Sequence, residues 1–286
     1  MTDFPGLTIT HLGHPTRLKW HRLRRSFSDP LFGRQTMAEG FRLGASMELD
    51  LRVRGDGGFV VLHDEELQGE TTGHGLVRMA SVSELRGLCM IDGGHDLTLS
   101  EDLAAMLDAA HPDALLQFDM KDGFATVSES GMDHIADHFR HAGSQIIISA
   151  ADLDLVLAVK DRLPGLRRGI DPTDKLVEIY RHEGLTAAER ELVADLAGPT
   201  EPDTIYLAWQ LVLQAARDGL DLIGLCHDHG KLVDAWTYNL KNPETGFSDA
   251  EWREFSGLIE LKPDQITTDE APATERAWNS KLAEAA

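Results

Sequence analysis

Cysteine is scarce: Cys89 and Cys226 are the only two in 286 residues. Two isolated thiols exclude a disulfide framework and suit a reducing compartment. No apolar run approaches the roughly 20 residues needed to cross a bilayer as a helix, so no membrane span is expected. Residues 1–13 lack a charged stretch followed by an apolar one, and a cytoplasmic location is the expectation. Cations are outnumbered, with 27 Lys plus Arg against 48 Asp plus Glu and a formal charge of −21. That balance argues against nucleic-acid or anionic-membrane partners, which demand basic surface. It leaves room for one local basic pocket. No Gly-x-Ser-x-Gly elbow is present for an acyl hydrolase, and no His-Glu-x-x-His for zinc. No linker, repeat or low-complexity segment divides the chain, so one domain over residues 1–286 is expected.

What is present is enough for a full-sized core: 42% apolar residues, with 26 glycines besides. Short apolar runs predict strands at 7–11, 47–53, 115–120, 145–149, 166–170, 204–208, 232–238 and 265–268. Helical spacing predicts helices at 36–43, 100–109, 131–141, 153–162, 187–196, 222–229 and 249–258. Strands alternating with helices imply a parallel sheet. Eight strands in about 270 residues fit an α/β fold of the (β/α)8 TIM-barrel type. An open doubly wound sheet is the alternative, but no Gly-rich phosphate loop follows the first strand. Arg54-Gly55-Asp56-Gly57-Gly58 is a turn signal before Phe59-Val60-Val61-Leu62, which predicts a hairpin insertion after the second strand.

Glu48 and Asp50 stand two apart on a predicted strand, so both carboxylates share a face. Side by side and buried, they need a compensating cation or proton. Asp119 ends the third predicted strand, on the rim that parallel strands share. Three acids from neighbouring strands suit a hard, oxygen-seeking cation such as Mg2+ or Ca2+. Lys121, two residues on, can meet an oxyanion or pair with an acid. His63 precedes Asp64, which can orient its imidazole, and His11 ends the first predicted strand. Histidine titrates near neutrality and passes protons both ways. His227, Asp228 and His229 are explained by a helix end before Gly230.

The ordered set of motifs resembles the glycerophosphodiester phosphodiesterase family. His11-Leu12-Gly13 is similar to its opening His-x-Gly. Gly44-Ala45-Ser46-Met47-Glu48-Leu49-Asp50 is similar to its Gly-Ala-x-x-Glu-x-Asp. Asp56-Gly57-Gly58-Phe59-Val60-Val61-Leu62-His63-Asp64 follows its Asp-Gly-x-x-Val-x-His-Asp. Thr71-Thr72-Gly73-His74-Gly75, Asp119-Met120-Lys121, Ala235-Trp236-Thr237-Tyr238-Asn239 and Thr267-Thr268-Asp269-Glu270-Ala271-Pro272 complete the series. The resemblance spans His11 to Pro272 and implies a TIM barrel, a divalent cation and hydrolysis of a small-molecule phosphodiester. Carried over, Glu48, Asp50 and Asp119 hold the metal, and His11 and His63 are acid and base. Lys121 contacts phosphate and Trp236 lines the substrate pocket. His14 is the alternative to His11.

Two features depart from that pattern. Residues 27–36 lack the expected Pro-Glu-Asn-Thr glutamate, and the third acid is Asp119 rather than Glu. Both resemble the sphingomyelinase D branch of the fold, which forms cyclic phosphates. Residues 14–25 hold five cations; one reading is a lid in which Arg17 or Lys19 grips phosphate, the other a solvated basic face. The lid resembles the agrocinopine phosphodiesterases, which act on sugar–phosphate–sugar diesters. The missing glutamate also admits a second class, a non-catalytic barrel that senses a phosphodiester or metal. Whether the chain forms a homo-oligomer is left open by the sequence.

Overall fold

The computed structural model describes residues 4–285. Ten strands follow one another along them: β1 (Thr8–His11), β2 (His14–Trp20), β3 (Ser46–Val53), β4 (Phe59–Val61), β5 (Leu115–Met120), β6 (Ile146–Ala150), β7 (Arg167–Ile170), β8 (Thr204–Ala208), β9 (Leu232–Trp236) and β10 (Gln265–Thr268). The helices between and after them are α1 (Arg34–Leu43), α2 (Val82–Leu85), α3 (Ser100–Leu107), α4 (Phe124–Phe139), α5 (Leu153–Arg162), α6 (Thr173–Glu183), α7 (Leu185–Leu196), α8 (Trp209–Arg217), α9 (Leu222–Asp228), α10 (Asp249–Glu260) and α11 (Ala271–Ala285). By its internal contacts the chain divides into two compact units. One holds the chain up to His21, residues 25–27 and everything from Gly169 on. The other holds residues 22–24 and 28–168.

In the first unit β2, β10, β9, β8 and β7 are parallel neighbours in that order. β1 is the exception. It runs antiparallel to β2, with His11 opposite His14 across the turn. The predicted strand at 7–11 is therefore a hairpin partner, and the first parallel strand is the basic segment that follows it. Thr16, Leu18 and Trp20 alternate with Arg17 and Lys19, and the charges hid a period-two strand. Lys19 is buried because Asp234 of β9 meets its ammonium at 2.6 Å. Thr267 Oγ1 donates to the same aspartate at 2.7 Å, and the Tyr206 ring lies 4.6 Å from the Lys19 ammonium. A buried lysine is tolerated only with such a partner. Residues 14–20 are thus a strand and not a lid.

In the second unit β3, β5 and β6 are parallel neighbours, and β4 returns antiparallel along β3. β3 is buried along nearly its whole length, as expected for a parallel strand covered on both faces. The predicted hairpin insertion is present: residues 54–58 form the turn, and Gly57 supplies the left-handed backbone it needs (φ 87). Gly58 stays side-chain-free because the Arg54 guanidinium passes where a Cβ would stand.

Helix ends follow local chemistry. Ser81 with Glu84, and Ser248 with Glu251, form capping boxes at α2 and α10. Gly44 closes α1 in the left-handed conformation and delivers the chain into β3. The His227-to-His229 stretch lies at the end of α9, where His227 Nε2 meets Asp264 and His229 Nδ1 donates to Leu225 O. Eight parallel strands with intervening helices are the element order of a (β/α)8 barrel. No helix among the described residues is long and apolar enough to cross a membrane.

Candidate active site

Two of the acids lie within β3, and the third stands one residue before the C-terminal end of β5. In the ladder Asp50 lies directly opposite Asp119, and Glu48 opposite Gln117. Period-two geometry puts Glu48 and Asp50 on one face of β3. Oxygens of Glu48, Asp50 and Asp119 come within 4.8 Å of one another. Glu48 and Asp50 are buried, at 5% and 1% exposure. Like charges this close need compensation. Lys121 supplies part of it, its Nζ lying 2.6 Å from Asp119 Oδ2 and 2.9 Å from Asp50 Oδ1. Burial works against the Lys121 charge, but Asp119 and Asp50 outweigh it and hold the ammonium above the usual lysine range.

Arg22 supplies a further part. Its backbone N–H donates to Glu48 Oε2 at 2.9 Å, and its Nε lies 3.2 Å from Asp50 Oδ2. Arg22 and Leu23 both sit in the left-handed region, with φ 49 and 59. Non-glycine residues rarely hold that conformation, and such strain clusters at functional sites. Three carboxylates against two cations leave one negative charge. The donors are all hard oxygens, and Asp50 Oδ2 is buried without a hydrogen bond. This set fits a divalent cation of the Mg2+ or Ca2+ class, held by Glu48, Asp50 and Asp119.

His63 leaves the end of β4. Leu62 N–H donates to Asp50 O, which fixes this segment against the end of β3. The turn is held by Glu70, whose Oε2 accepts from the backbone N–H of His63 and of Asp64 at 2.7 and 2.9 Å. Arg52 reaches from β3 to His63 O, Lys121 O and Asp122, tying the two strand ends together. His63 Nδ1 lies 2.9 Å from Asp64 Oδ1. The adjacent aspartate thus fixes the ring with Nδ1–H as donor.

In the first unit the strand ends separate the histidines. His14 opens β2, and its Nε2 meets Pro263 O at 3.1 Å, just before β10 begins. His11 lies across the turn and packs edge-on against Trp278, 5.6 Å between ring centres. Arg17 pairs with Gln265, the first residue of β10. These three therefore stand toward the N-terminal ends of the parallel strands, not at the end where barrel chemistry resides. The C-terminal end of β2 carries a different imidazole. His21 follows Trp20 directly, with Trp20 opposite Thr268 at the end of β10. His21 Nδ1 lies 3.0 Å from Asp269 Oδ1. Asn239 Nδ2 donates to Asp269 Oδ2 at 2.8 Å, and Asn239 Oδ1 accepts from the Asp269 backbone at 2.7 Å. Trp236 ends β9 half-buried, its Nε1 enclosed without a hydrogen-bond partner.

The sequence alone gave no role to His21 or Arg22, nor to Asn239 and Asp269, which lie within its motif series. His21 and Arg22 were legible only by seeing residues 14–20 as a strand, since they are then its first residues past the C-terminal end.

The family model described as "Glycerophosphoryl diester phosphodiesterase family" matches residues 35–272. The chain belongs to that family. A search of the curated proteins gave no match. Solved structures give the same answer for the fold. A glycerophosphodiester phosphodiesterase from Thermotoga maritima has TM-score 0.61 and 21% identity, with 96% of this chain and 99% of that one covered. One from Agrobacterium tumefaciens has TM-score 0.64 and 16% identity, with 92% and 99% covered. An Oleispira antarctica phosphodiesterase, solved with the product sn-glycerol-3-phosphate, has TM-score 0.64 and 16% identity, with 93% and 97% covered. The fold is a (β/α)8 TIM barrel, and this glycerophosphoryl diester phosphodiesterase family member is a phosphoric diester hydrolase.

Proposed function

We propose that the protein cleaves a glycerophosphodiester to a phosphomonoester and an alcohol, using a divalent cation and two histidines, His21 and His63. The observation that carries this reading is the convergence of Glu48, Asp50 and Asp119 with Arg22 and Lys121. Glu48, Asp50 and Asp119 would hold a divalent cation, which would supply Lewis-acid charge to the phosphate. Arg22 and Lys121 bring fixed positive charge to the same diester, which favours the extra negative charge of the transition state. One imidazole accepts the proton of the attacking oxygen as the new P–O bond forms. The other gives a proton to the alcohol oxygen as the old P–O bond breaks. Attack by water gives the monoester directly; attack by a neighbouring substrate hydroxyl gives a cyclic phosphate first.

His21 takes the role first read for His11 or His14. It stands at the C-terminal end of the first parallel strand, immediately precedes Arg22 in the chain, and has Asp269 to orient it. Trp236 remains a pocket-lining residue in this reading. The sugar-phosphodiester preference loses its main support, because residues 14–20 are a strand, so glycerophosphodiesters come first. In a purified-protein assay, His21→Ala and His63→Ala are each expected to lower kcat by about 10²–10⁴-fold, the usual worth of general acid–base help. His11→Ala is expected to stay near the parent rate. Full activity in His21→Ala would remove the reading.

A further inference from the structure

A second cluster of metal-type donors lies in the unit of residues 28–168, built by helices rather than by strand ends. Glu101 is in the first turn of α3, and His134 and His138 are one turn apart on α4. One donor atom from each lies within 4.8 Å of the others. Spacing of i and i+4 puts both imidazoles on one face of a helix. Their rings stack with 4.2 Å between centres. All three residues are half-buried, so the cluster is neither a fully solvated surface nor a closed core.

The surrounding bonds leave each residue a lone pair to give. His138 Nδ1 lies 3.0 Å from His134 O. A carbonyl only accepts, so Nδ1 carries the proton and Nε2 keeps its lone pair. His134 Nε2 lies 2.7 Å from Ser100 Oγ, which also lies 3.2 Å from Phe59 O. With the serine proton given to Phe59 O, His134 donates through Nε2 and keeps its lone pair on Nδ1. Glu101 is gripped by the Arg54 guanidinium through both oxygens. A carboxylate has about four lone-pair sites, so two N–H bonds leave it able to take a cation as well.

Charge agrees. Arg54 is shared between Glu101 and Asp56, so the two carboxylates exceed the one guanidinium. Neutral imidazoles and an ionised carboxylate are the forms that bind metal.

We propose that Glu101, His134 and His138 form a second metal site, separate from the all-oxygen one, selective for a divalent transition metal such as Zn2+ or Cu2+. Two nitrogens and one oxygen are the donor set such ions take. Mg2+ and Ca2+ prefer the oxygen-only cluster. The bond clips the start of α3 to α4, and its role is structural.

The test uses the full chain in excess Mg2+, which occupies the oxygen site. One equivalent of Cu2+ is added and its electron paramagnetic resonance spectrum recorded; Zn2+ affinity is read by equilibrium dialysis. The expected spectrum carries superhyperfine splitting from two nitrogens. His138→Ala and His134→Gln are each expected to lose that pattern and to bind Zn2+ at least about tenfold more weakly. Glu101→Gln is expected to weaken Zn2+ binding while keeping the two-nitrogen pattern. A parent spectrum without two nitrogens, or unchanged Zn2+ affinity in both histidine variants, overturns the proposal. The spectrum of the parent protein decides the matter even where a variant fails to fold.

Discussion

Asp119 shows what a single position requires. It joins the acid cluster because β5 is in register with β3, which puts it beside Asp50; a one-residue slip would turn it to the helices. Two of the three acids were legible from the Glu-x-Asp spacing, and the third from its place at a strand end. The contact between His63 and Asp64 was legible too, from their adjacency. The cysteines give a prediction at this scale. Burial, with Asp221 and Asp264 nearby, pushes the Cys226 thiol up to about 12, so it has almost no thiolate at neutral pH. Cys89 is half-buried. Ellman's reagent is expected to titrate one thiol in the folded protein and two after denaturation. Two fast-reacting thiols in the folded state would contradict the burial of Cys226.

The elements explain what the sequence hid. β2 carries Arg17 and Lys19 among apolar residues, so its alternation reads as a basic surface segment until Asp234 is seen across from Lys19. That contact joins residues 215 positions apart, which no local pattern reveals. With β2 unread, His21 just past its C-terminal end was not among the candidates. The β3–β4 turn was legible because Gly57 and Gly58 mark it. What was not legible is the clasp behind it, where the buried Arg54 holds Asp56, Glu101 and Phe59 O. The clasp makes stability depend on acid. The Glu101 carboxyl is lowered in the fold from about 4.5 to about 2, so its contribution is complete above the unfolded value. It is lost as pH falls from about 4.5 through about 2. Denaturant melts across that window are expected to show Glu101→Gln losing less stability than the parent. At pH 7 the variant is expected to be less stable by about 1–2 kcal/mol, the scale of a partly solvated charged hydrogen bond. Parallel pH profiles for the two proteins would contradict the clasp.

For the whole molecule, the alternation of eight apolar runs with amphipathic segments was enough to reach a TIM barrel. Each βα repeat buries its own strand, so the pattern repeats locally. The reaction class came instead from the order of motifs from His11 to Pro272, and the family match at residues 35–272 agrees with it. The central claim is that three carboxylates bind a divalent cation on which diester cleavage depends. The most direct measurement is 31P NMR of glycerophosphocholine incubated with EDTA-treated protein, then with Mg2+ or Ca2+ restored. The account predicts a stable diester signal after EDTA and its conversion to a phosphomonoester or cyclic phosphate once an ion returns. Equal turnover in the EDTA-treated protein would contradict it.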